Sequence, residues 1–254
     1  MSEKKAIVTG AGTGIGFGIA IELGKAGYDV VVHYYSSKEG AMEAVRIIRT
    51  FGVRAEAVEA DLSDINQIKS MFARSIDFLG GLTLFVNNSG VTKKSLFEKT
   101  TIEDFDYLVN VDLKSAYFCV QQAANYMAEN EIKGSIVVVS SNNAFMQRNG
   151  ISVYGMIKSA LIKMVKHAAI EYAKYGIRVN SIAPGWTLTP RVEKDNDIEE
   201  ICKTIPLKRM AESQEIGQMV LFYDSPASAS VTGNVIVADG GFILLNDELK
   251  AYGL

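Results

Sequence analysis

The 254-residue sequence holds two cysteines, two histidines, four prolines and one tryptophan, and each scarcity closes off a class of protein. Cys119 and Cys202 fall in separate helix-like segments, with no C-x-x-C and no histidine beside them. They cannot build a disulfide framework and read as buried or incidental thiols in a reducing cytoplasm. His33 and His167 are too few and too separated to ligate zinc or iron, so no metal is expected. Charge of one sign is lacking too: 26 basic residues stand against 29 acidic ones, for a net charge of -3. That removes the electrostatic footprint of a nucleic-acid binder. No apolar run approaches the roughly 18 residues that a membrane span needs, and "MSEKKAIVTG" enters its short apolar run without the core and cleavage site of a signal peptide. A membrane association is not expected. The prolines, at 184, 190, 206 and 226, leave the first two thirds of the chain uninterrupted, and no Pro/Gly/Ser linker, internal repeat or low-complexity segment divides it.

What is present is a 48% hydrophobic chain in which short apolar runs recur: "KAIVTG", "DVVVHYY", "RAEAVEA", "LTLFVNN", "GSIVVVSS", "IRVNSIAP" and "NVIVADGG". Fully apolar strands alternating with helical patterns predict a parallel sheet covered on both faces. The expectation is an α/β fold: one doubly wound Rossmann domain over residues 1–254, with about seven parallel strands and helices on both faces. Thr187 to Asn196, "TLTPRVEKDN", is the stretch least like a regular element, and it marks a candidate substrate lid within 186–210. In such sheets ligands bind beyond the carboxyl ends of the strands, so the residues just after each strand are where chemistry is sought.

After the first strand comes "TGAGTGIGFGIA", whose glycines at 10, 12, 14 and 16 miss the G-x-G-x-x-G spacing because Ile15 and Phe17 stand where a third glycine would fall. The physical logic survives: glycines permit a tight turn and close backbone approach, and the helix that follows aims its first amides at a phosphate. Further on, "VYGMIKSAL" sets Tyr154 and Lys158 four residues apart on one helix face. A free phenol titrates near pH 10. A neighbouring ammonium favours the phenolate and brings the hydroxyl toward the range of a general acid or base. Taken alone, the same pair is an ordinary solvent-facing one.

Together these motifs resemble the short-chain dehydrogenase/reductase family, and the resemblance covers essentially the whole chain. "TGAGTGIG" is similar to its T-G-x-x-x-G-x-G cofactor motif, with Gly10, Gly14 and Gly16 on the three glycines and Ile15 between the last two. "VNNSG" resembles the family's N-N-A-G, with Asn88 and Gly90 at matching positions and Ser89 for alanine. "VNVDLKSAYF" carries Asn110 at the family's catalytic asparagine, Ser141 stands thirteen residues before Tyr154, Y-G-M-I-K matches Y-x-x-x-K, and "NSIAPGWTLT" matches N-x-x-x-P-G with a following threonine. One departure is Ala144, where the family often has glycine. The resemblance implies Tyr154 as proton exchanger and Lys158 as its cation and a ligand of the nicotinamide ribose. It implies Ser141 as holder of the substrate oxygen and Asn110 as holder of a water that links Lys158 to solvent. It also implies cofactor contacts from Pro184, Gly185, Thr187 and Thr189, and from Asp61 and Leu62 at the adenine. As an alternative, Asp61 caps a helix, although Ser63 suits that role better.

The second strand chooses between cofactors. Tyr34 stands where the family's NAD-selective acid would fall, followed after Tyr35 by Ser36, Ser37 and Lys38. Hydroxyls and a cation suit a 2'-phosphate, so NADP is expected, with NAD the alternative. Lys38 reads equally as a solvated first-turn lysine. For the substrate, Asn143, Gln147 and Trp186 are the candidates. The many hydrogen-bonding groups between Ser141 and Tyr154 favour a polyol, an aldose oxidised at C1, with a 3-oxoacyl thioester or other ketone as the rival. A cofactor-binding scaffold without catalysis is the reading from another class. The resemblance further implies a homotetramer whose contacts lie around Lys114 to Met127 and Ser152 to Tyr175.

Overall fold

The parallel register of the seven apolar runs decides the architecture of the computed structural model, which describes residues 4–195 and 197–245. They form β1 (Lys5–Val8), β2 (Asp29–Tyr34), β3 (Ala55–Glu59), β4 (Leu84–Asn87), β5 (Ser135–Val139), β6 (Arg178–Pro184) and, last in the chain, β9 (Val235–Ala238). Their order across the sheet is β3-β2-β1-β4-β5-β6-β9, and every neighbouring pair is parallel. β5, "SIVVV", is buried along its whole length, as a strand covered on both faces must be.

Helices fill both faces. α1 (Gly14–Lys25), α2 (Lys38–Arg49) and α9 (Ser213–Asp224) close one core, where Ile19, Val45, Val220 and Tyr223 pack on Val30, Val32 and Val137. α3 (Ile65–Leu79), α5 (Ser115–Glu129) and α6 (Ser152–Tyr172) close the other, with Phe72, Met127 and Leu161 packed on Ile7, Phe85 and Ile136. Between α4 (Ile102–Leu108) and α5 the chain widens into a π-helical turn, Val109–Lys114. Such turns shift the side chains that follow and recur at functional sites.

Two sequence expectations change here. Asp64, not Ser63, caps α3, its carboxylate accepting the amide of Asn66, while Asp61 accepts the amide of Ser63. Asp64 satisfies an orphan amide in the first turn of α3, whereas the Asp61 carboxylate is spent on the turn before the helix. The segment read as least regular is also structured: Thr187–Leu188 forms β7, paired with β8 (Ala211–Glu212), and Pro190–Asp195 and Ile198–Lys203 form α7 and α8. Pro190 sits at the first helical position, where its missing amide is no loss. Asn196, Met1 to Glu3 and residues 246–254 lie outside the described residues. Among the described residues no helix is long and apolar enough to cross a membrane.

Candidate active site

The chain runs outward from β1 through β2 to β3, then returns to the far side of β1 with β4, β5 and β6. The crevice at this switch point is the expected ligand site of an open parallel sheet. A cleft of about 1550 Å³ opens there, lined by the residues that follow β1 to β6. At its first wall, Gly10 takes a left-handed φ of +62°, and a Cβ on Gly16 would lie 2.3 Å from the Gly10 carbonyl and 2.4 Å from Asn88 Nδ2. Only glycine lets the turn and α1 approach so closely. Thr13, the N-cap of α1, makes no side-chain capping bond, and it lines the cleft with Gly14 and Ile15, so the uncapped start of α1 lies where an anion would be favoured. The site therefore fits a dinucleotide: a glycine turn and free helix amides midway, hydroxyls at one end, and reactive groups at the other.

Of the expected cofactor residues, Gly10, Gly14, Ile15, Ser36, Ser37, Asp61, Leu62, Asn88, Gly90, Pro184, Gly185, Thr187 and Thr189 line the cleft. Gly16 lies behind the wall and packs it. Tyr34 does not line it: strand alternation turns its ring inward, where it is buried and donates to Glu59 Oε2 at 3.1 Å. Tyr35, which is exposed, takes the lining position instead. Lys38 opens α2 as an exposed residue outside the lining. Thr189 reaches across to α1, its Cγ2 standing 3.4 Å from where a Cβ on Gly14 would be, and its hydroxyl accepts the amide of Val192.

The four catalytic candidates all reach the same cleft. Ser141, buried at the end of β5, accepts from the Asn143 amide and from Asn143 Nδ2 at 3.2 and 3.0 Å. Ala144 closes the short turn Asn142–Ala144. It needs no left-handed backbone, since among the described residues the non-glycine positions with positive φ are Glu131 and Lys208. Tyr154 and Lys158 stand on the first two turns of α6, the lysine nitrogen 5.2 Å from the phenol ring centroid. Asn110 is half-buried with Lys114 Nζ at 3.5 Å from its Oδ1. The acidic neighbour of Lys158 from this turn is Asp112, two residues on, its Oδ2 3.8 Å from Lys158 Nζ. Sequence reasoning passed over Asp112 because a lone aspartate between apolar residues carries no motif.

Asn143 and Trp186 line the substrate end and Gln147 does not, being turned to solvent. Asn143 Oδ1 is shut off from solvent without a hydrogen-bond partner. Arg148, whose guanidinium lies 4.7 Å from the Trp186 ring centroid, joins the lining, as do Tyr107, Lys94 and Arg191. Among the described residues no group of three or more His, Cys, Asp and Glu side chains is arranged to hold a metal ion. Both cysteines are free.

The comparisons with known proteins agree with the fold. Residues 10–243 match a family model described as enoyl-(acyl carrier protein) reductase. The chain is 33% identical over 243 residues to the 3-oxoacyl-[acyl-carrier-protein] reductase FabG of Staphylococcus aureus, covering 95% of this chain and 98% of that protein. It is 32% identical over 254 residues to glucose 1-dehydrogenase 2 of Bacillus subtilis, covering 98% of each. Among solved structures, acetoin dehydrogenase YohF from Salmonella typhimurium superposes with a TM-score of 0.90 at 31% identity, covering 97% of this chain and 99% of that one. A short-chain type dehydrogenase/reductase from Mycobacterium marinum superposes with a TM-score of 0.89 at 29% identity, covering 94% and 95%.

His33 gives the site a measurable acid limit. Its Nδ1 accepts the Gly10 amide at 3.0 Å, which leaves the proton on Nε2 to donate to the Ala60 carbonyl at 3.1 Å. Burial holds the imidazole neutral and lowers its pKa from 6.5 to about 4. The unfolded chain therefore takes up a proton that the folded one refuses. Stability is full above pH 6.5 and falls as the pH drops toward about 4, by on the order of 3 kcal/mol. Urea midpoints measured across this range are expected to decline in the wild type and to decline less in His33→Gln; equal slopes would remove His33 as the cause.

Proposed function

The chain belongs to the short-chain dehydrogenase/reductase family and is an NAD(P)-dependent oxidoreductase; on that premise we propose that it oxidises an aldose at C1 with NADP, the whole chain acting as one catalytic domain in the cytoplasm. The observation that carries the choice of substrate is the unpartnered Asn143 Oδ1 beside Ser141. A buried acceptor is satisfied by a ligand that brings hydroxyl donors, and a sugar brings several. A 3-oxoacyl chain brings none at its reacting end.

The nicotinamide, when bound, exchanges the hydride with the substrate carbon. The chain's own work is to place that carbon and move a proton. Tyr154 exchanges the proton of the substrate oxygen, and Ser141 Oγ holds that oxygen in line, so geometry rather than covalent chemistry lowers the barrier. Lys158 keeps a cation beneath the phenol and holds the ribose. Asn110 serves the water path to solvent. Trp186, Asn143 and the segment 186–210 cover the substrate. Ser36 and Ser37, with Tyr35 beside them, receive the 2'-phosphate, since none of the four residues that follow β2, Tyr35 to Lys38, is a carboxylate that would repel it.

Tyr154→Phe is expected to lower turnover at least about 100-fold while cofactor binding, read by fluorescence titration, persists. A mutant with most of the wild-type rate would mean that another group exchanges the proton.

Two panels test the cofactor and the substrate. Steady-state rates with NADP are expected to exceed those with NAD, and Ser36→Asp to reduce that preference about tenfold or more by repelling the phosphate; a wild-type preference for NAD would reverse the reading. Aldoses with NADP are expected to turn over. Activity confined to acetoacetyl thioesters or small diketones with NADPH would put a ketone reductase in the sugar enzyme's place, and silence in both arms despite cofactor binding would favour a scaffold.

The assembly proposed is a homotetramer. Tyr117 on α5, Met156 and Ile170 on α6, and Tyr175 just beyond it are exposed apolar side chains on helices whose other faces are buried in the core, as expected of helices that also meet a second copy. Sedimentation at micromolar concentration is expected to give four chains, and a monomer would end the proposal.

A further inference from the structure

Six of the eight arginines in the chain have an acceptor to hold. Arg46, Arg54, Arg74 and Arg209 meet carboxylates, and Arg49 and Arg178 donate to backbone carbonyls. The two with no hydrogen bond or ion pair among the described residues, Arg148 and Arg191, are the two that line the cleft. The same division separates two neighbouring lysines: Lys93 pairs with Asp104 outside the cleft, whereas Lys94 lines it without an acceptor. The loop after β4, the loop after β5 and the start of α7 thus each bring an unpaired cation to one cavity. No acid answers them there. Of the two carboxylates in the lining, Asp61 accepts the Ser63 amide beyond β3, and Glu200 accepts from Lys203 at 2.7 Å.

Arg148 is the most constrained of the three. Exposure alone would make it an ordinary solvated cation, but its guanidinium carbon lies 4.7 Å from the ring centroid of Trp186. The indole attracts the cation and limits the rotamers of a long side chain before any ligand arrives, so less freedom is lost on binding. It forms no hydrogen bond with the N–H groups. Those donors form a planar fork that matches a carboxylate or a phosphate.

We propose that Arg148, assisted by Lys94, is an anion anchor at the substrate end of the cleft, and that the substrate carries a carboxylate or phosphate remote from its reacting carbon. The proposal rests on the aldose reading given above and narrows it to an acidic or phosphorylated aldose: C1 meets Tyr154, and the anion at the far end of the sugar meets Arg148. Arg191, carried on the lid segment, adds its charge from the opposite side of the chain order.

Trp186 is the only tryptophan of the chain, so its emission reports on the group stacked against it. It is followed in Tyr154→Phe protein saturated with NADP, whose own phosphates then fill the cofactor end, while glucose, glucuronate or glucose 6-phosphate is added. At least one charged sugar is expected to bind about tenfold tighter than glucose, and Arg148→Gln to erase most of that advantage. Which sugar gains tells carboxylate from phosphate. A role confined to bracing Trp186 would weaken all three sugars alike and leave their ratio unchanged. No advantage in Tyr154→Phe, or one that survives Arg148→Gln, overturns the proposal. If no aldose binds, acetoacetate against its methyl ester decides the anchor: an advantage of the acid that Arg148→Gln removes keeps it, and equal binding ends it. The two readings therefore fail separately. Charged sugars that bind through Arg148 but never reduce NADP in the wild type defeat the aldose oxidation alone, whereas aldoses that turn over with no advantage for a charged member defeat the anchor alone.

Discussion

The structure turns on a clasp between the ends of β1 and β4, the two neighbours at which the strand order reverses. Thr9 Oγ1 accepts the amides of Asn88 and Ser89 at 2.9 and 3.0 Å, and Asn88 Nδ2 donates to the carbonyls of Thr9 and Gly10 at 2.9 and 3.2 Å. Each bond satisfies a polar group that lies between packed strands and has little water to turn to. The clasp also sets two glycines: Gly10, whose turn opens α1, and Gly90, which roofs Lys158 and Asp112. From Ala60 beyond β3, through His33 to Gly10, Asn88 and Gly90, a series of close contacts carries the position of one cleft wall to the other.

Along that series burial disfavours the charge of two titratable groups that have different partners. His33 loses its charge, because each ring nitrogen has a backbone partner that a neutral imidazole satisfies and an imidazolium would not. Asp112 keeps a cation 3.8 Å away, because Lys158 is buried by the same packing and an isolated ammonium there would be costly. The first group fastens the phosphate turn. The second sits beside the buried amine of Lys158.

Much of the fold was legible because its signals are local. Seven apolar β-branched runs with helical patterns between them are enough for a parallel sheet with two covered faces, since strands buried on both sides tolerate little else. Tyr154 and Lys158 were legible for the same reason: their spacing on one helix is a local fact, and their order behind a glycine turn, "VNNSG" and Ser141 supplied the family. The N-cap of α3 was not, because Ser63 and Asp64 have nearly the same capping preference and the choice depends on where the chain leaves β3. Nor was the order within 187–212, where β7 exists only because residues some twenty positions later pair with it.

The sequence by itself determined the class of fold, the family, and the residue types available for hydride and proton chemistry, because periodicity and motif spacing act over a few residues. Tertiary structure alone decided which side chains face which surface. It turned Tyr34 onto Glu59 and left Tyr35 at the cleft. It paired Arg148 with Trp186, thirty-eight positions apart in the chain. It brought Asp112 under Lys158 through a π-helical turn whose widened register no apolar pattern announces. Such facts depend on strand alternation, helix phase and long-range packing taken together, and a shift of one residue in any of them would have exchanged the buried neighbour for the exposed one.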